Sequence, residues 1–532
     1  FHGCLFHGCP DCYPDNREEK AHPLTHQSLE ELYALTLKKR SYIQGLGMKY
    51  VCIWEHDYRH QLDRDPDLKT YVDQLDLAER LDPRDSFFGG RTNASQLRYN
   101  TAGEEQIKYV DFTSLYPWVN KYAEYPVGHP KIITKDFDDL SEYFGIAKVK
   151  VLPPRQLYHP VLPYRSNGKL KFPLCRTCAD IENPDQCTCT DEERMLTGTW
   201  CTPELLTAVR LGYTIVTIYE VYHWETTTQY NPDTREGGLF AHYINTFLKF
   251  KQEASGPPEW IQSQQDLLTY IQQYFEKEGV SMDAEKIAKN PGLRALAKLC
   301  LNSFWGKFGQ RLNMRQTSFF HEVEANQFFQ IFTDPMKEPQ NFHILTNDII
   351  QLEWAYKTES QPEDNKTNIY LATFTTCWAR LKLYSVLEQV NRRVLYYDTD
   401  SVIYVSKPGE SDPPLGDFLG DLTSELPPSQ FITQFVSLGP KNYGYRTNTG
   451  QETCKVRGFT LNFTNSQLIN LETMDNLLTD PQHTAIAITN PHKICRDKRK
   501  RKLYNREEQK TYQMVYTKRR KIDNYDTEPF GY

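Results

Sequence analysis

The chain has 532 residues, with 62 Lys and Arg against 69 Asp and Glu and a formal net charge of −7. Hydrophobic residues make up 39% and charged residues 25%, a globular composition that excludes a disordered or fibrous chain. Mean hydropathy is −0.65 and no run approaches the ~20 apolar residues of a membrane span, while the length predicts roughly three domains.

The opening residues, Phe1-His2-Gly3-Cys4, carry neither Met nor a charged-then-apolar leader, so the chain is expected to be a piece of a longer or processed protein. Residues 1–60 are rich in Cys and His and end in a strand-like run, Tyr50 to Glu55. The close spacing of His2, Cys4, His7, Cys9 and Cys12 suits zinc and an ordinary packed core alike. The odd total of 13 cysteines points to a reducing, intracellular compartment. A helical, acidic linker is predicted over 61–86. Residues 105–117 predict a strand running through Val110 into Asp111, then a turn ended by Pro117. An insertion-like region follows to about Asn290. It contains Cys175-x-x-Cys178 and Cys187-x-Cys189, four candidate zinc ligands whose second pair is tighter than the usual gap. Zinc and free thiols both stay open there.

Residues 291–311 and 367–393 predict helices, and 394–405 a hairpin with Asp398 and Asp400 at its tip. The alternation of β-rich and helical stretches predicts a mixed α/β or α+β fold. Residues 491–521 hold 13 Lys and Arg against Asp497, Glu507 and Glu508. A basic tail on an acidic body, densest from Arg496 to Lys502, suits a polyanionic partner, a nuclear address or a solvated face.

On a strand-like backbone, Asp398 and Asp400 can share a target only if a turn re-aims one of them. Acids crowded at a hairpin tip repel, and a hard divalent cation such as Mg²⁺ removes that cost. With Asp111 from another segment they can hold a metal pair, the device for in-line attack at phosphorus. Alone, Asp-x-Asp reads equally as a turn. The helix beside it adds chemistry: at about 100° per residue, Arg294, Lys298, Asn302 and Trp305 form one stripe. Leu293, Leu296, Cys300, Phe304 and Phe308 lie opposite and are expected to seat the helix on the core. Two cations, an amide and an indole suit a triphosphate and a flat base.

Asp111-Phe112-Thr113-Ser114-Leu115-Tyr116-Pro117, Lys298-x-x-x-Asn302-Ser303-x-Trp305-Gly306 and Tyr396-x-Asp398-Thr399-Asp400-Ser401 resemble, in order, motifs A, B and C of family B DNA polymerases. The gaps between them have room for the two insertions of the protein-primed branch. Phe87-Phe88-Gly89-Gly90 resembles that branch's Tyr-x-Gly-Gly template-binding element, and Lys441-Asn442-Tyr443 its Lys-x-Tyr element near the primer end. With Gly198 to Leu205, the whole is most similar to polymerases of Polinton/Maverick-type transposons and related viruses.

The resemblance implies an α+β right-hand fold. Its parts would be palm over 87–119 and 366–445, insertions over 120–255 and 313–365, fingers over 256–312, and thumb with basic tail over 446–532. It implies that Asp111, the Phe112 carbonyl and Asp400 hold two Mg²⁺ ions, with Asp398 a close accessory. Lys298 would meet the triphosphate, with Arg294, Lys286 or Lys289 as second cation. Asn302 and Trp305 would line the nascent pair, and Tyr116 would exclude a 2′-hydroxyl. Trp305 replaces the usual Tyr, keeping the ring and losing the hydroxyl. Phe87, Gly89, Gly90, Lys441 and Tyr443 would contact DNA.

Implied partners are template and primer DNA, deoxyribonucleotides and a terminal protein as primer, with no membrane, in the nucleus or otherwise the cytoplasm. A reverse transcriptase would want adjacent aspartates, and a non-catalytic nucleic-acid-binding remnant would be expected to have lost Asp111 or Asp400. Residues 1–60 resemble the second half of very-short-patch-repair-type endonucleases, a restriction-endonuclease-like fold whose metal-binding Asp would precede Phe1. No Phe-Asp-x-Glu proofreading motif precedes Phe87, so proofreading is expected upstream or not at all.

Overall fold

The computed structural model describes residues 1–19, 22, 27–74, 79–357, 360, 366–482, 484–497 and 502–532. These form two compact units, Phe1–Glu79 and Arg80–Tyr532. In the first, the helix Leu29–Gly45 starts at a capping box in which Ser28 and Glu31 satisfy each other's free backbone N–H. The strand expected over Tyr50–Glu55 does not form. Trp54 makes a single bridge with His2, and Glu55 opens the helix Glu55–Arg64, where its carboxylate accepts from the Cys4 N–H at 3.0 Å.

The second unit is built on a nine-stranded antiparallel sheet: β1 (Thr92–Ala94), β2 (Arg98–Asn100), β3 (Gln106–Phe112), β4 (Val394–Asp398), β5 (Ser401–Ser406), β6 (Leu422–Ser424), β7 (Ile432–Gly439), β8 (Asn442–Thr447) and β9 (Glu452–Val456). The path runs β1-β4-β5-β3-β7-β8-β9, with β6 on β3 and β2 on β7. Val110 and Phe112, with Val402 and Tyr404, turn one face toward Phe374, Leu383 and Leu387 of the helix Ile369–Val390. Ile107, Ile403 and Phe435 fill the core on the other face. Each such side chain contributes about 1.5–3 kcal/mol relative to exposure. The sheet is therefore buried on both sides, and it is stiff where β3, β4 and β5 end together.

The insertion-like region carries a four-stranded sheet, Lys131–Ile133, Thr214–His223, Gly145–Leu152 and Leu196–Cys201. Glu204, just beyond it, forms a buried pair with Arg380 at 2.7 and 2.8 Å. Arg380 also donates to the carbonyls of Phe88 and Gly89 at 2.9 and 3.2 Å, which fixes the Phe87–Gly90 segment to the central helix. Ala485–Asp497 pairs with Lys502–Gln513 in a long antiparallel ribbon. Lys498 to Arg501, the middle of the basic run, lie outside the described residues. Among the described residues no helix is long and apolar enough to cross a membrane.

The helix Pro291–Ser303 is seated differently from expectation. Ala297 and Leu301 are its buried residues, whereas Leu293 and Leu296 are 42% and 57% exposed. The turn of the helix is set by its neighbour Ala241–Glu253. Small Ala297 lets the two helices approach, and Leu301 joins Ile244 and Leu248 in a shared core. Phe304 and Phe308 do pack inward, against Phe240.

Candidate active site

β3 delivers Asp111, and the β4–β5 hairpin delivers Asp398 and Asp400. In register, Asp111 lies opposite Ser401, and Asp398 opposite Thr92. In a regular ladder Asp111 and Asp400 would face opposite sides of the sheet. The turn prevents this: Thr399 has φ of +61°, and the Asp400 N–H closes onto the Asp398 carbonyl at 2.6 Å. The Phe112 N–H donates to the Asp400 carbonyl at 2.7 Å, locking the two acid-bearing backbones together.

The three acids then have different surroundings. Asp398 is engaged, accepting from Lys441 Nζ at 2.8 and 2.9 Å and from Thr92 Oγ1 at 2.7 Å. Among the described residues, no ion pair or side-chain hydrogen bond binds the carboxylates of Asp111 or Asp400. Burial, then the nearby Asp400 and Glu425 carboxylates, push Asp111 up to about 7. Burial, then Asp398, raise Asp400. Two half-buried acids pushed toward protonation by burial and by neighbouring carboxylates form a site that a divalent cation would relieve. They open onto a cavity of about 560 Å³ whose other walls include Lys441, Lys455, Arg457 and Tyr443. The Tyr443 ring is buried, and its hydroxyl meets that of Tyr109 at 3.0 Å.

Thr399 and Lys441, which line this cavity, and Ser114, three residues beyond Asp111, hold left-handed backbone, with φ of +61°, +59° and +54°. Such conformations cost on the order of 1 kcal/mol or more and persist where surrounding structure imposes them. For Thr399 the imposing residues are Gly90 and Arg91. The Thr399 N–H donates to the Arg91 carbonyl at 2.8 Å, and a Cβ on Gly90 would lie 2.7 Å from Thr399 Oγ1. Gly90 is thus required by the hairpin tip it touches. Gly90→Ala is expected to lower turnover about tenfold or more by displacing Asp400, with a melting shift of only a few degrees; unchanged turnover would remove Gly90 from this role.

Ser114 caps the helix Leu115–Tyr122, whose first turn includes Pro117 instead of ending at it. Tyr116 stacks on Trp305 with ring centroids 4.5 Å apart and planes 24° from parallel. Trp305 lies in the single turn Phe304–Lys307 that continues the helix Pro291–Ser303. Arg294, Lys298 and Asn302 are exposed on that helix. The Lys298 charge reaches Asp111, where it works against the upward shift, and Arg294 Nε donates to Ser255 Oγ at 3.1 Å.

Lys251 was not marked by any motif. It lies in the last turn of the helix Ala241–Glu253, is 9% exposed, and donates to Ser114 Oγ at 3.3 Å. Burial, then the charges of Arg294 and Lys298, depress it to about 8. Three cations gathered this way repel each other and form a seat for a polyanion. Lys286, by contrast, pairs with Asp283 at 3.2 Å. The sequence offered one faint sign of Lys251, the Lys249-x-Lys251 spacing, and nothing that linked it to Ser114.

Each unit also holds a sulfur cluster. The ligand atoms of Cys175, Cys178, Cys187 and Cys189 lie within 4.8 Å of one another, with Cys178 and Cys189 Sγ at 3.8 Å. Tetrahedral zinc with four thiolates would need sulfurs about 3.8 Å apart. In the first unit, Cys4, Cys9, Cys12 and His56 are equally close. His56 Nδ1 stands 3.3 and 3.6 Å from the sulfurs of Cys4 and Cys9, and its Nε2 faces Asp57 at 3.2 Å. The early cysteines thus converge, joined by a histidine the spacing did not reveal.

Residues 58–268 and 266–392 match the family described as DNA polymerase type B, organellar and viral. The match takes in Asp111 and Lys298 and stops before the Asp398–Asp400 hairpin. A probable DNA polymerase of Neurospora intermedia is 24% identical over 371 residues, 68% of this chain and 30% of that protein. The chain thus spans about a third of that relative's length. Phi29 DNA polymerase complexed with single-stranded DNA has a similar fold, with a TM-score of 0.51 at 13% identity, covering 93% of this chain and 74% of that one.

Proposed function

Because the chain belongs to the DNA polymerases of type B, organellar and viral, matched over more than half its length, we propose that it adds deoxyribonucleotides to a primer strand on a DNA template. One observation carries the reading: Asp111 and Asp400, raised by burial and neighbouring carboxylates, share a site with Lys298, whose charge acts on Asp111 and which gathers with Arg294 and Lys251 on two packed helices. Asp111, Asp400 and the Phe112 carbonyl would hold Mg²⁺. When bound, the ions would activate the attacking 3′-oxygen and stabilise the leaving pyrophosphate. Asp398 steers Lys441 toward the primer strand. Lys251, Arg294 and Lys298 grip the triphosphate, and Tyr116 with Trp305 shapes the floor and wall beneath sugar and base. The resemblance to the protein-primed branch supports initiation on a terminal protein's hydroxyl and service to a transposon or virus genome.

In this reading the palm is the nine-stranded sheet with the helix Ile369–Val390. The fingers are the packed helices Ala241–Glu253 and Pro291–Ser303, so we start them at Ala241. The hairpin Ala485–Gln513 is the thumb. Residues 1–60 are a restriction-endonuclease-like remnant. Zinc at Cys175, Cys178, Cys187 and Cys189 braces the first insertion, and zinc at Cys4, Cys9, Cys12 and His56 staples the remnant; four closely gathered ligands are what support both. The basic run Arg496–Lys502 is our candidate nuclear address. Primer extension with Mg²⁺ and the four deoxyribonucleotides tests the proposal: templated products support it, and their absence with a primed duplex contradicts it.

The acid pair also predicts a pH-dependent metal effect. A carboxyl raised in the folded state favours folding below its unfolded value, and that contribution is lost as pH rises through about 7. Mg²⁺ offsets the repulsion only once both acids are ionised. In thermal melts Mg²⁺ is expected to raise Tm by several degrees at pH 8 and by much less at pH 6; equal shifts at both would separate the effect from this pair.

A further inference from the structure

After the long hairpin the chain does not leave the sheet. Residues 514–532 turn back along β1, the sheet's edge strand, and close it. The Tyr516 hydroxyl donates to the Ala94 carbonyl at 2.7 Å and Lys518 Nζ to the Thr92 carbonyl at 3.1 Å. The Thr527 N–H and hydroxyl donate to the Ser95 carbonyl at 3.1 and 2.6 Å. Arg519, 4% exposed, ties the strap to itself through Thr527 and to the first insertion through the Tyr158 carbonyl at 2.9 Å. At its far end the Leu174 N–H donates to the Phe530 carbonyl at 2.7 Å, and the Phe530 ring is buried against Cys175 and Cys178. Gly531 has φ of +93°, and a Cβ there would come within 2.4 Å of the Cys175 side chain.

The strap therefore links two places that the polymerase reading leaves separate. At one end is the cysteine cluster. At the other, Lys518 holds the main chain of Thr92, whose hydroxyl orients Asp398, whose carboxylate holds Lys441. Lys441 alone would be neutralised by Asp398. Lys518 adds a second cation close to Asp398, and Lys455 and Arg457 line the cavity together with Lys441. A chain of phosphates is the ligand that such cations attract, running up to the acids that line the same cavity.

Resting on the polymerase reading, we infer that residues 514–532 are a working part of the site: Lys518 is a positioning residue for the primer-strand backbone, acting through Thr92, Asp398 and Lys441, and the seat of Phe530 and Gly531 on the cysteine cluster keeps it in place. The test measures binding of a fluorescent primed duplex without nucleotides across a salt series, together with steady-state extension. Lys518→Gln is expected to weaken binding roughly fivefold and to lower the salt slope by about one ion. It should raise KM for the primed duplex while kcat stays within twofold, and Lys518→Arg should restore both. Gly531→Ala, far from the acids, should reproduce the KM effect. Lys518→Gln with the wild-type salt slope and KM would overturn the inference, as would a Gly531→Ala protein that lowers Tm yet keeps the wild-type KM. Failure of the wild-type protein to bind primed DNA would instead overturn the polymerase reading beneath it.

Discussion

Asp400→Asn is expected to lower primer extension by about a thousandfold or more while leaving the protein folded. The substitution keeps shape and removes one charge. In the free protein that charge is a burden, because burial and the neighbouring Asp398 raise Asp400 and Asp400 in turn raises Asp111. The variant should therefore melt at or above the wild-type temperature in the absence of metal, and lose most of the Mg²⁺-induced gain. Activity and stability moving in opposite directions is the signature of a charge retained for chemistry instead of folding. Asp398→Asn should behave differently. It breaks the hold on Lys441, so its effect should fall mainly on the primed duplex. Equal extension by wild type and Asp400→Asn would refute the metal assignment.

Tyr116→Ala is expected to admit ribonucleotides, reducing sugar discrimination by roughly 10–100-fold, the range a relieved steric overlap of about 1–3 kcal/mol spans. The ring is fixed by its stack on Trp305 at 4.5 Å and by burial, which also raises its hydroxyl to about 12, so it stays a neutral phenol throughout the working range. A wall held from behind cannot yield to an extra hydroxyl. Removing Trp305 should therefore loosen discrimination as well, though less, because the phenol ring would remain. The check is the ratio of kcat/KM for a deoxyribonucleotide and its ribonucleotide counterpart, and an unchanged ratio in Tyr116→Ala would take the residue out of that role.

What the sequence made legible follows from range. Asp111 at a strand end, the hairpin around Asp398 and Asp400, and the helix carrying Lys298 are local patterns with periods of two or about 3.6 residues. The structure has each of them. Less local features were lost. Leu293, Leu296 and Cys300 look like part of a core face, yet the side that turns inward was decided by a partner helix some fifty residues earlier, through Ala297 and Leu301. Lys251 joins Lys298 and Arg294 only because those two helices pack. The Asp-x-Asp spacing left the aim of its two side chains open. Thr399, forced to positive φ beside Gly90, settled it by turning Asp398 to Lys441 and Asp400 to Asp111. Lys518 reaches the site through the path of a strap that no local pattern announces.

The central claim is that Asp111 and Asp400 share ions beside the cationic helices. Titration of Mn²⁺ into the protein bound to a primed duplex and a non-hydrolysable deoxyribonucleotide, followed by paramagnetic resonance, counts those ions directly. The account predicts two bound ions in the wild-type protein and the loss of at least one in both Asp111→Asn and Asp400→Asn, with Asp398→Asn retaining two. Undiminished Mn²⁺ binding in Asp111→Asn or Asp400→Asn would contradict it.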